Sequence, residues 1–218
     1  MTSKVDLCNS ALANLRAASI NNISDNTTSS EYCRLKYDYV LDAMLRDSKW
    51  NFAHKQKPLA VLTTDLYGWV YTYQYPVDCL RINEVLSSAG KIGTVEQGYA
   101  YRPEYSSQSL QGVLPPVKYE VLVDSEGNNV IGANEPELWV DYNIHVEDPN
   151  KFDTQFIMAF VWYLTAELAI PIIGGDSGRA ERKNAFEMYR YTLASALVND
   201  GNENDNLVIP ESDLIESR

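Results

Sequence analysis

The apolar side chains of this chain change their spacing twice. Up to about residue 58 they recur every three or four positions, from 59 to 150 every second position, and after 151 the wider spacing returns. A period near 3.6 lines one stripe of a helix, and a period of 2 lines one face of a strand. The chain is therefore expected to be helical at both ends with a β region between them. The end helices need apolar partners, and the economical arrangement is to pack them on one another. The expected fold is α+β: a four-helix bundle from both chain ends, an inserted antiparallel β region and an extended C-terminal tail. The matching domain division is 1–58 plus 151–199 for the bundle, 59–150 for the β-rich part and 200–218 for an acidic arm.

The first helix is predicted over Lys4–Ala17, with Val5, Cys8, Ala11, Leu12 and Leu15 on one face and Ser3 with Asp6 as its cap. Beyond the polar loop NNISDNTTSS, Thr28 and Glu31 have capping-box spacing for a second helix over about Ser29–Ser48. The third, about Phe152–Ala169, is apolar nearly all round, through Phe156, Phe160 and Trp162 among others, and needs cover on more than one side. Ile170-Pro171 is expected to end it and Gly174-Gly175 to turn the chain. The fourth, about Ser177–Val198, carries a stripe of Phe186, Tyr189, Leu193 and Leu197. Trp50-Asn51-Phe52 reads as an apolar anchor sealing the bundle against the β region, with a docking plug as the alternative.

In the β region, strands are expected at Trp69–Tyr75, Cys79–Leu86, Val117–Val123 and Leu138–Val146, with a weaker one near Val130 after the turn Asp124-Ser-Glu-Gly127. In the last strand Val140, Tyr142, Ile144 and Val146 face one way, and Trp139, Asp141, Asn143 and His145 the other. The glycine-bearing stretch 87–116 reads as loop. The first strand is a ladder, with aromatic rings at Trp69, Tyr71, Tyr73 and Tyr75. A ladder can stack bases or sugars, but nucleic-acid platforms pair rings with cations, and none lies between Leu59 and Cys79. The expected role is a strand face buried on a helix or under a neighbouring subunit.

Charge narrows the function classes further. The net charge is −12, and the acid is concentrated: residues 59–150 hold 13 acidic and 4 basic side chains, and residues 200–218 hold 6 and 1. Tight binding to a phosphate backbone needs clustered Lys and Arg, so this balance argues against gripping DNA. Three widely spaced cysteines make neither a disulfide framework nor a CxxC metal site. The N-terminus lacks the apolar core of a signal peptide, and the apolar stretch Phe156–Ile173, broken by Thr165, Glu167 and Pro171, reads as a poor membrane span.

Three phrases stand in order along the chain: CRLKYDYVLDAMLRDSKWNFA, YTYQYPVDCLRINEV and LWVDYNIHVEDPNKFDTQFIMAFVWYLTAELAIPI, preceded by a helix ending in ALANLRAASI. Together they resemble the tail tubular protein A, or head-to-tail adaptor, family of short-tailed bacteriophages, over most of residues 3–199. Members often have Gly after the first helix, where this chain has Arg16. The resemblance implies a structural virion protein of the neck, made in the host cytoplasm, that forms a ring of usually twelve copies. The ring would join the portal to the tail nozzle or tube and continue the DNA channel, with no catalytic step, cofactor, metal or membrane. A tail-completion or hub protein, and a carbohydrate-binding module or cell-wall hydrolase of the tail, are the alternatives. A hydrolase needs a carboxylate pair in a cleft, for which Glu104, Glu120 and Asp141 are the available groups.

On this reading the candidate residues fall into three groups. Trp69, Tyr71, Tyr73, Tyr75, Phe156, Phe160 and Trp162 serve the core or a subunit interface. Glu96, Glu104, Glu126, Glu135 and Glu137 are candidates for a channel lining that repels phosphate over about 8–10 Å. Leu207-Val208-Ile209-Pro210, a short apolar segment in the charged tail, is the candidate portal contact, ordering on its partner as a strand or hook. The same tail has Asp200, Asn202, Asn204 and Glu211 at calcium-loop spacing, but Asp205 stands where the sharp turn wants Gly. His54 and His145 have no nucleophile motif beside them. Arg179, Arg182 and Lys183 read as a solvated face, with contact to an acidic partner as the alternative.

Overall fold

The computed structural model describes residues 2–87 and 117–204, with side chains described as far as Asp200. Helices α1 (Lys4–Asn14) and α2 (Thr28–Asp47) come first. Among the described residues seven strands follow: β1 (His54–Pro58), β2 (Val61–Leu62), β3 (Tyr71–Gln74), β4 (Cys79–Ser87), β5 (Tyr119–Val123), β6 (Asn129–Ala133) and β7 (Leu138–Ile144). Helices α3 (Thr154–Ile173) and α4 (Gly175–Asn204) are the last elements described. The protein is α+β, with antiparallel sheets between two helical ends.

Local chemistry sets the helix bounds. Ser3 and Asp6 form a reciprocal capping box at the start of α1. At α2 the box sits one residue earlier than the sequence spacing suggests: Thr27 is the cap and Ser30 closes it. Ser30 is buried and also donates to the Asp25 carbonyl, whereas Glu31 is exposed and takes no part in the box. Helix α1 stops at Asn14 rather than Ala17, because Arg16 adopts φ +55°. Its N–H donates to Ala13 and that of Ala17 to Leu12, both at 3.0 Å, the paired bonds of a Schellman ending.

Helix α3 continues through Pro171 to Ile173, contrary to the stop expected at Ile170-Pro171. Proline deletes one donor, but the next turn still closes, with Gly174 N–H donating to Ile170 at 2.9 Å. Gly174 and Gly175, at φ +74° and +56°, then reverse the chain into α4. The inward stripe of α4 also differs from the expected one. It consists of Gly178, Ala185, Tyr189, Thr192 and Ala196, while Phe186 and Leu197 are exposed. A Cβ on Gly178 would lie 3.0 Å from the Ala169 carbonyl oxygen, so no side chain fits between the two helices at that turn. Farther along, Tyr189 stacks on Tyr163 of α3 at 4.6 Å and Leu193 packs against the helical core, as expected.

Helix α3 is the hub of the helical layer, packing against α1, α2 and α4. By length and composition it is apolar enough to cross a membrane; here its inward face carries the helical core. Phe156 and Phe160 are fully buried there with Leu12, Tyr37, Leu41 and Trp50. The Trp50 anchor thus closes the helical core, its ring 4.9 Å from that of Phe156.

The strands form two antiparallel sheets, β1-β7-β4 and β2-β3-β6-β5. They meet over a second core in which Val85, Leu138, Val140 and Tyr142 of the first sheet pack against Tyr73, Ile131 and Ala133 of the second. Within the chain the aromatic ladder packs not on a helix but on the other sheet. Tyr73 is its buried member, Tyr71 and Tyr75 are half-buried beside it, and Trp69 precedes the strand. Strands β1 and β2 were not legible in the sequence: HKQKP is polar and ends in proline, and two residues carry no period. Strand β1 places part of the expected helical segment 1–58 in the sheet, pairing His54–Pro58 with Asn143–Trp139. At the other end, α4 runs to Asn204, into the segment read as an extended arm.

Candidate interface surfaces

Strand β7 alternates as expected, but both of its faces are buried. Val140 and Tyr142 enter the inter-sheet core, while Asp141 and Asn143, 1% and 0% exposed, point toward the helical layer. A buried carboxylate is costly unless hydrogen-bonded. Asp141 Oδ2 accepts from Lys49 Nζ (2.8 Å) and Gln56 Nε2 (2.8 Å) and lies 2.9 Å from His54 Nε2; its Oδ1 accepts from Asn83 at 3.0 Å. Burial alone pushes this carboxyl up, yet the donors from Gln56, Lys49 and Asn83 outweigh it and hold it below the ordinary carboxylate value.

The same face completes α2. A helix leaves its last four carbonyls without internal partners, here those of Met44, Leu45, Arg46 and Asp47. Trp50 Nε1 donates to Met44 (2.9 Å), Asn143 Nδ2 to Leu45 (2.7 Å), and Arg81 Nη1 to Arg46 (2.7 Å) and Asp47 (3.1 Å). Asn143 also reaches the Ser48 carbonyl and accepts from Asn83, each at 2.7 Å. Arg81 emerges where the β4–β7 register slips between Cys79 and Arg81, and its charge suits a helix C-terminus. Farther along, His145 Nδ1 lies 2.6 Å from Asp42 of α2. The sequence signal for this junction was the run Asp141, Asn143, His145 on one face of β7; its partners Lys49, Gln56, Arg81 and Asn83 were missed, because spacing within β7 says nothing about what covers it.

The junction's Asp141 is saturated with donors, and Glu120 lies on the other sheet, where it accepts from Trp69 Nε1 at 3.2 Å. These two carboxylates share no sheet. Asp200 lies in helix α4, its carboxylate accepting from Asn51 N–H at 3.1 Å. Among the described residues no cluster of three His, Cys, Asp or Glu side chains suits a metal ion.

Large apolar side chains are exposed on helices α2, α3 and α4. Tyr191 is 75% exposed, Val198 62%, Tyr39 61% and Leu35 60%, and Met158, Phe186 and Met188 are also exposed. Trp162 is half-buried. Of the candidate lining carboxylates, Glu126 lies in the turn before β6, and Glu135 and Glu137 in the connection after it, so the strand separates them. Glu96, Glu104, Leu207, Val208, Ile209 and Pro210 lie outside the described residues. No protein-family model matches the chain, and no curated protein matches it.

Proposed function

We propose that the chain is a non-catalytic structural subunit of a short-tailed phage neck: a head-to-tail adaptor that forms a ring between portal and tail nozzle and continues the DNA channel. The four helices act in it as one bundle organised on α3. The observation that carries this reading is the run of large apolar side chains left open to water on α2, α3 and α4. Scattered single residues need no explanation, but Leu35, Tyr39, Met158, Phe186, Met188, Tyr191 and Val198 are many for one helical layer. Tyr and Met are favoured where protein surfaces are covered by other proteins. The family resemblance supplies the partner, and Leu207–Pro210 is the proposed portal hook. The carboxylates Glu96, Glu104, Glu126, Glu135 and Glu137 are proposed to face the channel, where they would let DNA pass without holding it.

Mass measurement tests this directly. The chain alone, the cognate portal ring alone and their mixture are compared in solution. A complex of portal with about twelve added copies is the expected result. Portal that gains no mass at micromolar chain concentration sinks the adaptor reading. Zymogram activity on host cell wall would replace it with the hydrolase alternative.

A further inference from the structure

An open groove of about 520 Å³ lies between the end of α3 and the first turns of α4, lined by Ile170, Arg179, Arg182, Lys183 and Phe186. Its apolar side chains are uncovered, Ile170 at 39% and Phe186 at 43% exposure. Its three cations stand in the second and third turns of α4. Arg179 pairs with Asp176, and Arg182 pairs with Glu167, which also holds Lys36. Lys183 has no ion-pair partner among the described residues. The site is thus both apolar and cationic, with one charge uncommitted.

We propose that this groove receives the distal tail of a second copy of the chain, residues 211–216, Glu-Ser-Asp-Leu-Ile-Glu. This segment carries the complementary pattern, two aliphatic side chains flanked by carboxylates. Fourteen residues follow the end of α4 at Asn204. Helical rise puts Lys183 about 32 Å back along α4 from Asn204. Asp213 is nine residues beyond Asn204, a reach of at most about 32 Å fully extended. A chain's own tail would arrive taut, whereas a neighbour's tail has no such constraint. The proximal Leu207–Pro210 segment stays free for the portal. The contact does not require the ring reading; within a ring it supplies an arm from each subunit to the next.

The test titrates a fluorescent peptide of residues 205–218 into the full-length chain and into its Lys183→Glu variant, read by anisotropy. Saturable binding to the full chain is expected, weakened about fivefold by K183E and by raised salt. A peptide carrying Asp213→Lys should regain affinity for the K183E chain, which excludes misfolding as the cause of the loss. Binding that ignores K183E, or no binding, overturns the proposal. Peptide binding only after the chain's own tail is neutralised (E211Q, D213N, E216Q) supports it where the parent chain self-associates by mass and the neutralised chain does not, and overturns it, in favour of a tail folded back on its own groove, where the parent chain is monomeric. Mass gain on portal is measured separately, so failure here leaves the adaptor reading standing.

Discussion

The indole of Trp69 packs directly on Gly132: a Cβ at that glycine would stand 2.6 Å from both Cγ and Cδ1 of the ring. Gly132 is central in β6, opposite Thr72 of β3 and Glu120 of β5, and Glu120 accepts from the Trp69 ring nitrogen. The first ring of the ladder is thus seated across the second sheet.

Gly132→Ala is therefore expected to displace the indole and to destabilise the protein by about 1–3 kcal/mol through overpacking. Urea unfolding monitored by tryptophan fluorescence measures it. Combined with Trp69→Ala, the glycine substitution should cost markedly less, because the clash is gone.

Asp141→Asn replaces a carboxylate that receives several donors with an amide that presents its own N–H groups to them. A loss of roughly 2–4 kcal/mol is expected at pH 7. The pH dependence has a definite sign. The folded-state value of Asp141 is depressed below its ordinary 3.8, so its contribution is complete above about pH 4 and is lost as the pH falls through the depressed value. Urea midpoints should drop below pH 4 in the parent chain and flatten over the same window in Asp141→Asn. Equal slopes would show that Asp141 is not the titrating group.

Arg16 holds a left-handed conformation at the end of α1 that glycine adopts freely. Arg16→Gly should stabilise the chain by about 0.5–1 kcal/mol, seen as a higher thermal midpoint with unchanged circular dichroism. A lower midpoint would mean that the arginine side chain compensates for its own strain.

If the acidic β region lines a DNA channel, replacing Glu126, Glu135 and Glu137 with Gln should raise the affinity of assembled rings for double-stranded DNA and make it more sensitive to salt. Filter binding at two salt concentrations reads this. Unchanged binding would place these carboxylates away from the DNA path.

Much of the fold was legible because periodicity reports which face of an element is buried. The stripes on α1 and α2 and the alternation from Trp139 to Asn143 on β7 are seen as read, whereas Val146, expected to face the same way as Val140, lies past the strand end in the helical core. Periodicity failed where distance or coverage decides. On α4, Tyr189 and Leu193 face the core as read, but Phe186 and Leu197 do not, because the small Ala185 and Ala196 take the inward positions beside them. For the ladder, a sheet rather than the expected helix covers Tyr73 within the chain, because no pattern in Tyr71, Tyr73 and Tyr75 names the layer opposite. The junction around Asp141 was invisible because Lys49 comes from the connection after α2, Gln56 from β1, and Arg81 and Asn83 from β4, whose register against β7 slips. Strand β1 escaped because its residues take their order from β7 rather than from hydrophobicity.

The double service of β7 has a mechanical consequence. Its apolar face belongs to the inter-sheet core, and its polar face holds the end of α2. A pull between the outer sheet and the helices is therefore carried through the first sheet, by side-chain packing of β7 and β4 on one side and by Asn143 and Arg81 hydrogen bonds to helix carbonyls on the other. Neither half can separate without exposing either an apolar face or a buried carboxylate, so tension on one is felt by both. The amides of Val140–Asn143 should accordingly be among the slowest in the molecule to exchange with solvent.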